Sequence, residues 1–258
     1  MPLYPIGNSQ IEVNLIDSKS SLAPIVFLHE GLGSVAMWRS RGDYWPELVC
    51  QSTCRNGVVY SRRGYGQSSP ISDVRGANRL QPDYMHNEAW KVLPELLSAL
   101  KIKQPVLLGH SDGATIALLF ASCFSATACI AMAPHVMVED ISIRSIEAAK
   151  LAFESGELKD RLSKYHQDVE CAFWQWNDVW LSPAFRSFDI RQNCHQITSP
   201  VLAMQGKQDA YGTLQQIEDI QTSGPMERQV IDNCGHSPHR DQPEETLAYV
   251  TAFLADKA

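Results

Sequence analysis

The sequence predicts an α/β fold with a doubly wound, mostly parallel sheet, and three observations carry that prediction. Short β-type runs recur along the chain, helix-length segments separate them, and most of the later runs are apolar throughout rather than at every second residue. Uninterrupted apolarity suits strands covered on both faces, as in parallel sheets, where each crossover is normally a helix. Strands alternating with helices then imply right-handed βαβ units.

The β-type runs are, in order, "IEVNLI" (11–16), "PIVFLH" (24–29), "GVVYSR" (57–62), "PVLLGH" (105–110), "ACIAMAP" (128–134), "PVLAMQG" (200–206) and "RQVIDN" (228–233). Among the helical segments, "DYMHNEAWKVLPELLSALKI" (83–102) opens on Asp83, a good N-cap, and repeats apolar residues at three- and four-residue spacing. The stretch "DGATIALLFASCF" (112–124) is apolar nearly all round, the pattern of a buried helix. The last segment, "DQPEETLAYVTAFLADKA" (241–258), carries Pro243 early and Glu244 and Glu245 in its first turn, both favourable at a helix N-terminus. From about Pro134 to Thr198 there is no strand pattern, only helical segments and the aromatic stretch "AFWQWNDVWLSPAFRSF" (172–188). Such an insertion between two strands predicts a helical cap over the C-terminal edge of the sheet. Residues 1–133 and 199–258 are thus expected to form the core, and 134–198 the cap, as one folding unit.

Composition narrows the function classes. The 258 residues are 44% apolar and 20% charged, ordinary for a globular protein. A net charge of −7, from 22 basic against 29 acidic residues, gives no electrostatic case for nucleic acid or an anionic membrane. The seven cysteines, at 50, 54, 123, 129, 171, 194 and 234, show no two-residue spacing of a metal or redox motif. Reduced, mostly buried thiols of a cytoplasmic protein are the expectation. The N-terminal "MPLYPIGNSQIEVNLIDSKS" lacks a basic start followed by an apolar stretch, so no signal peptide is expected. No apolar run approaches the ~18 residues of a membrane span. A monomer or simple homo-oligomer acting on a small molecule, with no metal or organic cofactor, fits these features.

Chemistry enters at "GHSDG" (109–113), which follows a strand and opens a helix. In that context G-x-S-x-G puts a serine on a tight turn with its hydroxyl aimed into a cleft, and glycines flank it because neighbouring chain passes close by. A serine hydroxyl needs a base, and the base an orienting carboxylate. Asp209 lies in "KQDAYG", just beyond one strand, and His236 lies in "CGHSPHRDQPE", just beyond the next. Ser111, Asp209 and His236 therefore sit at three C-terminal strand ends, the edge where open parallel sheets bind ligands. His239 is a rival base, but the "GH" turn directly after the strand is better placed. Glu139 or Asp140 is a rival acid, whereas Asp232 and Asp241 suit a strand end and a helix cap. His110 is expected to point away from the nucleophile and pack on the sheet, and His86, His166 and His195 to be structural or exposed. An oxyanion hole needs two backbone N–H groups. Asp112 supplies one, and the loop "EGLGSVAMW" after "IVFLH" supplies the other, from Gly31 or, in the alternative register, Leu32.

With these motifs in view, the chain resembles an α/β-hydrolase of the serine-nucleophile branch. The resemblance rests on "LHEGLGS" (28–34), "SRRGYGQSS" (61–69), "GHSDGA" (109–114), "GKQDAYG" (206–212) and "CGHSPHRDQPE" (234–244), in that order along nearly the whole sequence. It implies an eight-stranded, mostly parallel sheet with a helical cap between strands six and seven. One departure stands out: many relatives have His-Gly in the oxyanion loop, where this chain has His29-Glu30 before Gly31. Serine at the elbow centre sets the chain apart from the aspartate-nucleophile dehalogenases and epoxide hydrolases of this fold, and "HEGLG" differs from the H-G-G-P-G of proline iminopeptidases. Acyl transfer on a small ester or thioester is the expected reaction. The alternatives are a carbon–carbon bond hydrolase or related lyase of aromatic degradation, and a non-catalytic ligand binder. Trp174, Trp176 and Trp180 are candidate pocket residues, with Phe173, Phe185 and Phe188 in the same aromatic set, and Arg62, Arg63 and Arg144 are candidates for a substrate carboxylate. Activity should fall as pH drops and the base becomes protonated.

Overall fold

The computed structural model describes residues 2–40 and 42–257. Its strands are β1 (Leu3–Ile6), β2 (Ser9–Ile16), β3 (Ile25–Leu28), a small separate hairpin of β4 (Arg39–Ser40) and β5 (Asp43–Tyr44), β6 (Gly57–Tyr60), β7 (Val106–His110), β8 (Ala128–Met132), β9 (Val201–Gly206) and β10 (Met226–Ile231). Eight of them form one sheet in the order β1-β2-β6-β3-β7-β8-β9-β10. The β1/β2 and β2/β6 pairs are antiparallel and every other pair is parallel. This is the eight-stranded, mostly parallel sheet that the sequence led us to expect.

Alternate residues of the central strands enter opposite cores. Ile25 and Phe27 of β3 pack with Trp38, Trp45 and Phe253, whereas Val26 and Leu28 pack with Met85, Leu118 and Phe120. Both faces are therefore dry, which is why these strands read as unbroken apolar runs. On one face lie α1 (Trp45–Thr53) and α11 (Pro243–Leu254), preceded by the short α10 (Pro238–Asp241). On the other lie α2 (Tyr84–Asn87), α3 (Leu93–Ala99) and α4 (Asp112–Ala121), all ten residues of α4 being buried. A π-type turn, Glu88–Val92, joins α2 to α3. Pro94 follows it and has no N–H to return to the preceding turn, a common cause of such a defect.

Between β8 and β9 come α5 (Asp140–Glu154), α6 (Glu157–Leu162), α7 (Val169–Trp180) and α8 (Arg191–Cys194), with α9 (Gln215–Glu218) after β9. β1 lies outside the expected strands; it is a short edge strand holding Pro5, where an absent N–H is harmless. β10 begins two residues before the expected run, because it is an exposed edge strand with little apolar pattern to read. Among the described residues no helix is long and apolar enough to cross a membrane.

The chain runs β3 to β6 on one side of the sheet, then crosses back to β7 on the other, so the loops after β3 and β7 depart toward opposite faces. A crevice opens at such a switch point, and it is here that ligands enter doubly wound sheets.

Candidate active site

The turn at Ser111 is built by backbone crowding. Ser111 has φ 54° and ψ −120°, a strained conformation for a residue with a Cβ. Its N–H donates to the Met132 carbonyl at 2.9 Å, and its own carbonyl accepts from Ala114 and Thr115 as α4 begins. A Cβ on Gly109 would lie 2.2 Å from the Gly113 carbonyl oxygen, and one on Gly113 would lie 2.1 Å from that of Leu28. Glycine is required at both positions.

Three loops bring one hydroxyl, one imidazole and one carboxylate together. Ser111 Oγ lies 2.9 Å from His236 Nε2, and His236 Nδ1 lies 2.8 Å from Asp209 Oδ2 and 2.9 Å from Oδ1. A carboxylate only accepts, so Nδ1 carries the proton and Nε2 faces the hydroxyl. Asp209 also accepts from the Tyr211 N–H at 2.7 Å and from Gln205 Nε2 at 2.7 Å. Burial alone would raise its carboxyl, but His236 and the Tyr211 N–H outweigh burial and hold it below the usual carboxylate range.

The rival residues go elsewhere. His239 is buried against the Trp38 and Trp45 rings. Glu139 accepts from Thr213 and Gln216, Asp140 pairs with Arg186 on the surface, Asp232 pairs with Lys207, and Asp241 caps the Gly235 N–H. His166 ties two loops, accepting from the Gly66 N–H at 3.0 Å and donating to the Leu32 carbonyl at 3.0 Å. His110 departs from expectation. Rather than merely packing on the sheet, it places Nε2 2.6 Å from the His236 carbonyl and so fastens the elbow to the next loop.

A cavity of about 240 Å³ opens over Ser111 and His236. Leu32, Met37, Ile146, Leu158, Leu162, Trp176 and Trp180 make its walls largely apolar, and Gly31, Asp112 and His135 also face it. Of the three predicted pocket tryptophans, Trp176 and Trp180 are placed there and Trp174 is not. Trp174 turns the other way, donating its indole N–H to Glu170 at 2.7 Å with the Arg75 guanidinium 3.7 Å over its ring. The reason is helical geometry: residues 176 and 180 are four apart on α7 and share a face, whereas 174 lies on another. The Trp176 indole occupies the space a Cβ on Gly31 would need, with Nε1 only 2.2 Å from that position. Among the described residues, the amides of Gly31, Leu32 and Asp112 make no hydrogen bond to protein.

Asp112 is buried behind the turn. Its Oδ2 accepts from the Tyr84 hydroxyl at 2.6 Å and lies 3.6 Å from Arg62 Nη1, and Tyr84 in turn accepts from the Trp180 indole at 3.0 Å. Burial raises the Asp112 carboxyl despite these partners. Arg62 is thereby a buried structural cation, while Arg63 and Arg144 are exposed. Arg62 and Arg63 line a second cavity of about 320 Å³ together with Arg79, Asp83 and Glu88.

His135 was not foreseen. It sits just past β8, its ring 5.6 Å from that of His236 and 4.9 Å from that of Trp180. Burial, then His236, pushes its pKa down to about 3, so it faces the cavity as a neutral ring. The available signal was its place beyond a strand end, in "MAPHV".

A family model described as "Alpha/beta hydrolase family" matches residues 25–249. The chain belongs to the alpha/beta hydrolase family. It is 24% identical over 275 residues to the sn-1-specific diacylglycerol lipase ABHD11 of Mus musculus, covering 95% of this chain and 85% of that protein. Among solved structures it resembles the enol-lactonase from Burkholderia xenovorans LB400, with a TM-score of 0.73, 14% identity and coverage of 99% of this chain and 100% of that one. The carboxylesterase CesB (YbfK) from Bacillus subtilis superimposes with a TM-score of 0.70, 17% identity and coverage of 99% and 91%. Hydrolase chemistry is thus supported by the family and by esterase-like relatives.

Proposed function

We propose that the protein is a serine hydrolase that cleaves esters of a small apolar acyl group through an acyl-enzyme. The observation that carries this reading is the Ser111–His236–Asp209 chain of hydrogen bonds at the floor of an apolar cavity. The ester-cleaving relatives support it.

His236 Nε2 takes the Ser111 proton as Oγ bonds to the carbonyl carbon, and the carbonyl electron pair moves onto oxygen. The amides of Asp112 and Gly31, or Leu32 in the other register, receive that oxyanion; Asp112 opens α4, where N–H groups have no intrahelical partner. One such donor is worth roughly 2.7–4 kcal/mol. Asp209 keeps the imidazole in its tautomer and stabilises its cation. The imidazolium then gives its proton to the leaving alkoxide as the ester C–O bond breaks, and water repeats the sequence to free the acid.

The helices of 134–198 act in this proposal as a cap: Ile146, Leu158, Leu162, Trp176 and Trp180 are its contributions to the cavity. A thiol ester fits the same geometry. The test is turnover of p-nitrophenyl esters of graded acyl length by the purified protein. Hydrolysis of short acyl esters that disappears in Ser111→Ala is the expected result; undiminished hydrolysis in that variant would sink the reading.

A further inference from the structure

We infer that Glu30 is a positioning residue that locks the oxyanion loop in register with the serine and histidine loops, an inference that rests on the serine-hydrolase reading above. Glu30 stands where the resemblance led us to expect glycine, and its side chain is not idle. Oε1 accepts from Arg240 Nη2 at 3.0 Å, and Arg240 follows His236 by one turn of chain in the base loop. The same Nη2 donates to the Met37 carbonyl at 2.7 Å, farther along the chain from the oxyanion loop. Oε2 lies 3.5 Å from His110 Nδ1 without a hydrogen bond between them, and His110 Nε2 donates to the His236 carbonyl at 2.6 Å. One carboxylate is therefore hydrogen-bonded to the base loop through Arg240 and packs against His110, the elbow residue that holds the same loop through the His236 carbonyl.

The backbone of Glu30 is fixed as firmly. Its carbonyl accepts from Arg62 Nη2 at 2.9 Å, from His29 Nδ1 at 2.7 Å and from the Gly33 N–H at 3.0 Å. Gly33 makes room for the acid, since a Cβ there would lie 2.5 Å from Glu30 Oε2. The two candidate oxyanion amides, Gly31 and Leu32, are held between these anchors. Burial would raise the Glu30 carboxyl, but Arg240 and then His110 outweigh it and hold the group well below the usual range, so the ion pair is charged at neutral pH.

Oxyanion donors act chiefly in the transition state, so misplacing them lowers kcat more than it alters KM. A pair that served stability alone would lower the melting temperature and leave that split untouched. The experiment compares Glu30→Gln, Arg240→Gln and the double variant with p-nitrophenyl butyrate, alongside NMR spectra of protein carrying 15N-labelled histidine. Each single change should lower kcat by about ten- to a hundredfold with little change in KM. The double should be no slower than the worse single, because both break one unit. The His236 ring signals should move in both singles. Unchanged kcat in both, or losses that multiply in the double, would overturn the inference. If one variant does not fold, the other reads the same bracket from its opposite end. If the parent protein hydrolyses no ester, the functional reading falls, and His236 signals that stay put in the variants would still overturn the bracket.

Discussion

The loops at the C-terminal edge of the sheet and the helices that face them across the cavity are positioned by different physics. Ser111, Asp209 and His236 hang from β7, β9 and the end of β10, so strand pairing sets their spacing before any side chain packs. In the 134–198 segment nothing but side-chain packing decides which residues look inward, and Trp174 and Trp176, two residues apart, take opposite roles. A motif at a strand end thus specifies a place in space, whereas an aromatic-rich helix specifies only a composition.

Substitutions can break that contrast, the largest effects being on the sheet side. Ser111→Ala should lower kcat by about 10⁵- to 10⁶-fold with the fold intact, read by turnover and circular dichroism. Asp209→Asn keeps the shape but frees His236 to take the wrong tautomer, and a loss of about 10⁴ in kcat is expected. Loss of only a few-fold would mean that Asp209 is not the orienting acid. Across the cavity the effects shrink. Trp176→Phe should raise KM several-fold, because its indole lines the cavity beside Gly31. Trp174→Phe should leave KM alone and destabilise the fold by about 1 kcal/mol, through loss of the Glu170 hydrogen bond and weaker stacking on Arg75. Equal kinetic effects of the two would mean that Trp174 and Trp176 play the same part.

The reading of the sequence divides along the same line. Four of the five loop motifs could be placed because each follows an apolar, fully buried run like β7, the fifth following the half-exposed β10, and the elbow glycines could be read because only a residue without a Cβ fits there. The inward face of α7 was in principle legible from the four-residue spacing of Trp176 and Trp180, but nothing in the sequence says which face of an inserted helix the core will cover. The Glu30–Arg240 pair was out of reach for another reason: its partners are 210 residues apart and meet only once the sheet has formed. β1 and the true start of β10 escaped because edge strands carry little apolar pattern.

The smallest effect concerns stability at acid pH. The Asp209 and Glu30 carboxyls lie below their unfolded values, so the stability they contribute is complete above about pH 5 and is lost as pH falls through their depressed folded values. Melting temperature against pH should therefore drop on the acid side, and Glu30→Gln should flatten part of that limb. An unchanged limb would mean that Glu30 gains nothing from Arg240 and His110.

In the proposed mechanism His236, held by Asp209, makes Ser111 the nucleophile. Rapid acid quenching of the protein with p-nitrophenyl butyrate, followed by peptide mass spectrometry, would trap the acyl-enzyme this requires. A butyryl group on the peptide carrying Ser111, absent when His236 is changed to alanine, is the predicted result. Ester turnover without any adduct at Ser111, or an adduct formed equally well without the histidine, would contradict it.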